Sequence, residues 1–161
     1  MDSIDSIDSM DTFPQVSLVN QNRSLEACKK YFFSGNVVSF MDEIRSQKFN
    51  VYFTEYKYAG DYEGSPSFIL ENLINGFVQQ LDEKRAYLIT GFKCTKKNNS
   101  YTIVAIWITN YNLPMEQLIP EKYDDFEWEE LDMHLTVHVQ KMLRTLISGP
   151  FDNTIAVSYL H

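Results

Sequence analysis

The chain has 161 residues, 44% of them apolar, which is enough to build the core of one domain. No run of residues approaches the roughly 20 consecutive apolar positions that a membrane-spanning helix needs. The start, "MDSIDSIDSMDTFP", is acidic and lacks the basic and apolar regions of a secretory signal. Cys28 and Cys94 form no CxxC pair, so a reduced, cytoplasmic protein with two free thiols is expected.

The net charge of −8 is distributed unevenly along the chain. Residues 1–12 and 121–132 together hold 11 of the 22 acidic residues and one of the 14 basic residues. The rest of the chain therefore has 11 acidic and 13 basic residues, so the acidic total does not exclude an anionic ligand. A broad nucleic-acid-binding face is disfavoured, because it requires clustered Lys and Arg.

The first half of the chain predicts a tail, an extended entry and a helix. The triplet repeat "DSIDSIDS" predicts a disordered acidic tail over residues 1–12, followed by a single domain over 13–161. "FPQVSLV" favours an extended segment because of Pro14, and "EACKKYFF" is compatible with either a strand or a helix. A helix with Asn36 as its N-cap follows. Its apolar face is formed by residues at i, i+3, i+4 and i+7, namely Val37, Phe40, Met41 and Ile44.

The second half predicts strands and two further helices. Residues 49–59 alternate as in a strand, and residues 67–84 carry a wide apolar stripe typical of a helix. "AYLITGFKCT" and "SYTIVAIWIT" flank "KKNN" and predict a hairpin. An acidic loop over 111–128, a long helix from Trp128 that ends at "GP", and a final strand "NTIAVSYLH" follow. This order predicts an α+β fold, in which helices pack on one face of an antiparallel sheet.

The sequence carries no recognisable catalytic motif. His134 and His138 are spaced at i, i+4, but Leu135 occupies the position of the Glu in an HExxH zinc site, and no third ligand is evident. There is no glycine-rich phosphate loop and no GxSxG motif. We therefore expect no metal, no cofactor and no enzymatic activity.

Aromatic residues are abundant, with ten Tyr and eleven Phe. Tyr52, Tyr56 and Tyr58 share one side of the predicted strand 49–59. Such rings either pack in a core or provide a stacking surface for a base, and a cationic methylated purine would stack best. A nearby carboxylate and nearby lysines would then contact the purine edge and its phosphates.

Two stretches resemble the cap-binding translation initiation factor 4E family. Over residues 68–110, the helix "FILENLI" and the strand "IVAIWIT" are similar to the family's aromatic-x-Leu-Glu-x-Leu-Leu helix and Ile-Ala-Ile-Trp-Thr strand. Over residues 139–161, the helix, Gly/Pro break and final strand are also similar. The resemblance implies a curved antiparallel sheet with about three helices packed on its convex face.

The resemblance also implies a binding site for the 7-methylguanosine cap of mRNA on the concave face. Tyr62 would stack on the base, Glu63 would pair with its edge, and Trp107 would contact the methyl region. Lys96 or Lys97 would bind the phosphates.

On the convex face, the resemblance implies a site for a Tyr-x4-Leu-Φ peptide of a scaffold factor 4G-like or repressor protein. Its residues would be Val37, Leu70, Glu71 and Ile74. A monomeric, cytoplasmic translation protein is expected. Because "NQNRSLEACKK" contains no ring to match the family's first stacking Trp, two alternatives remain. One is a factor 4E-like fold with a decayed cap pocket that acts only as a protein-interaction module. The other is an unrelated α+β domain, either a binding module or an enzyme.

Overall fold

A computed structural model of the chain describes residues 15–109, 113–132, 137 and 153–160, with side chains described from residue 25 onward. The helices are α1 (Gln15–Ser34), α2 (Val37–Gln47), α3 (Ser67–Gln80) and α4 (Met115–Leu118). The strands are β1 (Asn50–Tyr56), β2 (Leu88–Lys97), β3 (Ser100–Thr109), β4 (Phe126–Glu130) and β5 (Thr154–Leu160). Short 3-10 helices lie at Ala59–Tyr62, Asp82–Lys84 and Tyr123–Asp125. Across these described ranges, none of the helices is long and apolar enough to cross a bilayer.

The five strands form one open sheet in the order β4-β1-β3-β2-β5. Every neighbouring pair is antiparallel, and the longest pairing joins β2 to β3 in a hairpin. The hairpin turns at Asn98, whose backbone φ of 58° suits an Asn in a tight turn. The predicted α+β class with an antiparallel sheet is confirmed.

The sheet is covered on both faces, because successive strand residues point to opposite sides. On one face, alternate residues of β3, such as Ile103 and Trp107, pack with the buried side of α3. On the other face, Ile106 and Ile108 pack with α1 and α2. The resemblance implied about three helices on a single convex face of the sheet. In the structure, α3 lies on one face and α1 and α2 lie on the other.

Helix α2 forms as the sequence predicted. The Asn36 side chain accepts a hydrogen bond from the backbone N–H of Ser39 at 3.2 Å and caps the helix N-terminus. Lys48, in a left-handed conformation, ends the helix. Its buried residues are the predicted four: Val37, Phe40, Met41 and Ile44.

The prediction of an extended segment at "FPQVSLV" was wrong, because most of this segment lies in helix α1. The helix begins at Gln15, directly after the Pro14 that favoured an extended chain. Leu25, Cys28 and Phe32 recur at helical spacing and pack against α2, so tertiary burial stabilises the C-terminal half of this helix. The segment that was compatible with either structure, "EACKKYFF", belongs to this helix.

The acidic segment near residue 128 also differs from its prediction. Trp128 lies in strand β4, which pairs with β1, and does not begin a helix. Most of the long helix predicted to follow lies outside the described residues, as do His134, His138 and the acidic tail over 1–12. The division into a tail and one domain over 13–161 stays a prediction.

Candidate functional site

Trp107 is a core residue. Its side chain is 1% exposed, and its indole N–H donates a hydrogen bond of 2.7 Å to the hydroxyl of buried Thr54. The rings of Phe92 and Phe126 meet it edge-on at centroid distances of 5.3 and 5.5 Å. With its faces and its N–H occupied by protein, Trp107 has no surface for a ligand.

Trp128 extends this aromatic cluster toward the surface. It stacks on Tyr123 with ring centroids 4.9 Å apart and planes 16° from parallel, and its N–H donates to the Tyr123 carbonyl at 2.8 Å. Tyr52 meets its edge at 5.7 Å. These rings pack against each other, so the abundance of aromatics is explained here by core packing rather than by stacking on a base.

The structure does bring the 59–65 loop to the hairpin tip. The backbone N–H of Gly64 donates to the Asn99 carbonyl at 3.1 Å, and the Tyr101 hydroxyl donates to the Ser65 carbonyl at 2.5 Å. This loop carries the half-buried Tyr62 and the exposed Glu63.

The two lysines of the predicted cap site lie at the same end of the hairpin, and Trp107 does not. Lys96 sits 5.5 Å from the ring centroid of Tyr101, its cross-strand partner, and Lys97 is exposed. Trp107 is six residues farther along β3 than Tyr101, which corresponds to about 20 Å. The five residues assigned to a cap site are therefore not gathered around one pocket.

The residues assigned to a partner peptide are divided between the two cores. Leu70 and Ile74 are fully buried against the α3 face of the sheet, and Val37 is buried on the opposite face. Glu71 is exposed on α3. No single surface includes these four side chains.

The cysteine thiols are buried in the two cores. Burial raises the pKa of Cys28 from its ordinary value of 9.0 to about 12, with a smaller contribution from Glu43. Burial likewise raises the pKa of Cys94 to about 11. Both thiols are therefore poor nucleophiles at neutral pH. In the part of the chain that the structure describes, no three His, Cys, Asp or Glu side chains are grouped as metal ligands would be.

A basic cavity lies between the C-terminal half of α1 and the turn that precedes β2. It has a volume of about 550 Å³. Its lining residues are Glu26, Lys29, Lys30, Phe33, Arg85 and Ala86. No local sequence pattern predicts this cavity, because Arg85 is 56 residues from Lys29 and the two come together only through the packing of α1 beside the β2 turn.

Lys29 connects the two sides of this basic cavity. Its ammonium group donates a hydrogen bond of 2.8 Å to the backbone carbonyl of Arg85 and lies 3.8 Å from the carboxylate of Glu26. Burial lowers the pKa of Lys29 below its ordinary value, Glu26 opposes that change, and Arg85 adds to it. The cavity therefore carries three basic groups against one acidic group.

Comparison with known proteins assigns this chain to a family. Residues 17–112, from α1 to just beyond β3, match the family described as "Elongation factor 1 gamma, conserved domain". The chain belongs to the elongation factor 1 gamma conserved-domain family. The chain is also 29% identical over 96 residues to elongation factor 1-gamma of Drosophila melanogaster. That alignment covers 58% of this chain and 22% of the fly protein, so the chain matches only part of its relative.

Membership of the elongation factor 1 gamma family overturns the resemblance to initiation factor 4E. The predicted cap recognition, the scaffold peptide partner and the alternative of a factor 4E fold with a decayed pocket are all wrong. The resemblance rested on a helix with an apolar stripe followed by a hairpin with a Trp. Many α+β domains need that pattern to fill a core, and Trp107 does so here.

Proposed function

We propose that this chain is a binding component of the translation elongation machinery, which associates with other components of elongation factor 1. The observation that carries the proposal is the family match over residues 17–112, which includes α1, α2, α3 and the central strands. We further propose that it acts in the cytoplasm and has no enzymatic activity of its own. The burial of both thiols is consistent with a binding role.

The two outer strands of the sheet suggest where a protein partner would bind. Strand β4, "FEWEE", carries three glutamates, and charges on an outer strand discourage pairing with another chain. Strand β5, "TIAVSYL", carries no charge and, among the described residues, pairs with β2 on one side only. The β5 edge is therefore the side of the sheet that is better suited to apolar and backbone contacts with a partner.

Val157 provides a specific probe of the β5 edge. Its side chain is 40% exposed, and Lys93 lies directly opposite it on β2. Val157→Glu would add a charge at a partly exposed position of this outer strand, so the fold should tolerate it. We expect the variant to weaken copurification with elongation factor 1 components by about tenfold, which is typical of losing one well-placed apolar contact.

Val38→Glu is the matched control, since Val38 is 55% exposed near the start of α2, on a different element. The measurement is quantitative pull-down of elongation factor 1 components by the tagged full chain, with melting temperatures recorded for both variants. If the unaltered chain retains no such component, the proposed function is wrong. If both variants bind like the unaltered chain, the function stands and the β5 edge is not the contact.

A further inference from the structure

The basic cavity, lined by Glu26, Lys29, Lys30, Phe33, Arg85 and Ala86, is not explained by the core or by the proposed partner edge. It is an open concavity rather than an enclosed pocket, and its volume of about 550 Å³ is within the range of small-molecule sites. Its charge is opposite to that of the chain, which has a net charge of −8. An anionic ligand is therefore the class that this concavity would attract.

A second cavity of similar size shows that positive charge is not a general property of the surface. It has a volume of about 580 Å³ and lies between the end of α3 and the segment after α4. Its charged lining residues are balanced, with Lys84 and Lys122 against Glu83 and Glu121. The excess of cations belongs to the cavity beside α1.

The cations of the basic cavity are positioned to form bonds with a ligand. Lys29 is held in place, since its side chain is 13% exposed and anchored to the Arg85 carbonyl. An ammonium group has three N–H donors, so after Arg85 and Glu26 at least one remains for a ligand. Arg85 forms a 3.4 Å ion pair with Asp82, but both side chains are more than half exposed, so that pair is weak.

The wall of the same cavity is apolar and aromatic. Phe33 is 40% exposed, and its ring is fixed edge-on by Phe32 and Tyr159 at centroid distances of 5.2 and 5.7 Å. Ala86 adds a small apolar surface beside Arg85. An inorganic anion would satisfy the cations and leave this wall unused, whereas a ligand with a planar ring would use both.

We propose that the basic cavity binds a small aromatic phosphate of the nucleoside monophosphate type. Lys29, Lys30 and Arg85 hold its phosphate by charge-assisted hydrogen bonds, and its ring lies against Phe33. The proposal does not rest on the proposed association through β5, although Tyr159 of that strand contacts Phe33.

The test is isothermal titration of the full chain with AMP, and separately with adenosine and with inorganic phosphate. AMP should bind with a Kd of about 0.1–1 mM at low salt. Adenosine and inorganic phosphate should each bind at least tenfold more weakly than AMP. Lys30→Gln and Arg85→Gln, at exposed side chains, should each weaken AMP binding by about tenfold. Lys84→Gln, in the cavity with balanced charge, should leave it unchanged.

Three results would overturn the proposal. The first is no heat and no NMR shift of the amides around residues 26–33 and 85–86 at millimolar AMP. The second is equal weakening by Lys84→Gln and Arg85→Gln, which would indicate a diffuse charge effect. The third is tighter binding of single-stranded RNA that increases with its length, which would indicate an RNA surface instead of a mononucleotide site.

Discussion

The buried hydrogen bond between Trp107 and Thr54 predicts that the Thr54 hydroxyl contributes measurably to the stability of the core. Thr54 is fully buried, and its hydroxyl oxygen accepts the indole N–H at 2.7 Å. Thr54→Val preserves the shape of the side chain and removes the acceptor, which leaves a buried donor without a partner. Such a loss costs about 1–3 kcal/mol of the free energy of unfolding. The hydroxyl's own contact with the Ala105 carbonyl is long, at 3.5 Å, and adds little.

The measurement is urea unfolding followed by near-ultraviolet circular dichroism, with the free energy extrapolated to water and the slope m compared between variants. A loss of this size lowers the melting temperature by about 2–4 °C per kcal/mol in a chain of this length. Thr102→Val is the control, because Thr102 lies in β3 with its side chain exposed. It should change the free energy of unfolding by less than about 0.5 kcal/mol.

A double-mutant cycle separates the bond from other effects of the substitution. In a Trp107→Phe background the donor is absent, so Thr54→Val should be close to neutral. If Thr54→Val in the unaltered chain changes the free energy of unfolding by less than about 0.5 kcal/mol, the buried pair does not act as described. The same conclusion follows if its cost is undiminished in the Trp107→Phe background.

Two further predictions concern packing and the buried thiols. Gly91→Ala would put its Cβ 2.6 Å from a ring carbon of Tyr159 and should lower the free energy of unfolding by about 1–3 kcal/mol. Gly76→Ala in α3 meets no atom within 4 Å and should raise it by about 0.5–1 kcal/mol. The melting temperatures of the two variants should shift in opposite directions, and equal shifts would contradict the contact. Because the pKa of Cys28 is about 12 folded and 9.0 ordinarily, the unfolded chain loses this proton first as the pH rises, so Cys28 contributes a fall in stability above about pH 9. Cys28→Ala should make unfolding less steeply dependent on pH between about 9 and 11, and an unchanged slope would show that the thiol titrates normally when folded.

Local chemistry in the sequence was sufficient for several elements. The apolar spacing and the Asn36 cap predicted α2, alternation predicted β1, and the hairpin and β5 followed from their β-branched runs and turn residues. These features depend on neighbours within a few residues, where steric and hydrogen-bonding preferences act directly. The α+β class followed from the order of such elements.

Long-range packing decided the rest. The division of helices between the two faces of the sheet and the burial of Trp107 each depend on partners far along the chain. The hydrogen bond from Lys29 to the Arg85 carbonyl joins residues 56 positions apart, so no local pattern predicts the basic cavity. The sequence by itself determined several elements, such as α2 and the β2–β3 hairpin, and the class of the fold, because backbone preferences are local. The tertiary structure decided which side chains became core and which formed a cavity, because burial and electrostatics depend on distance in space.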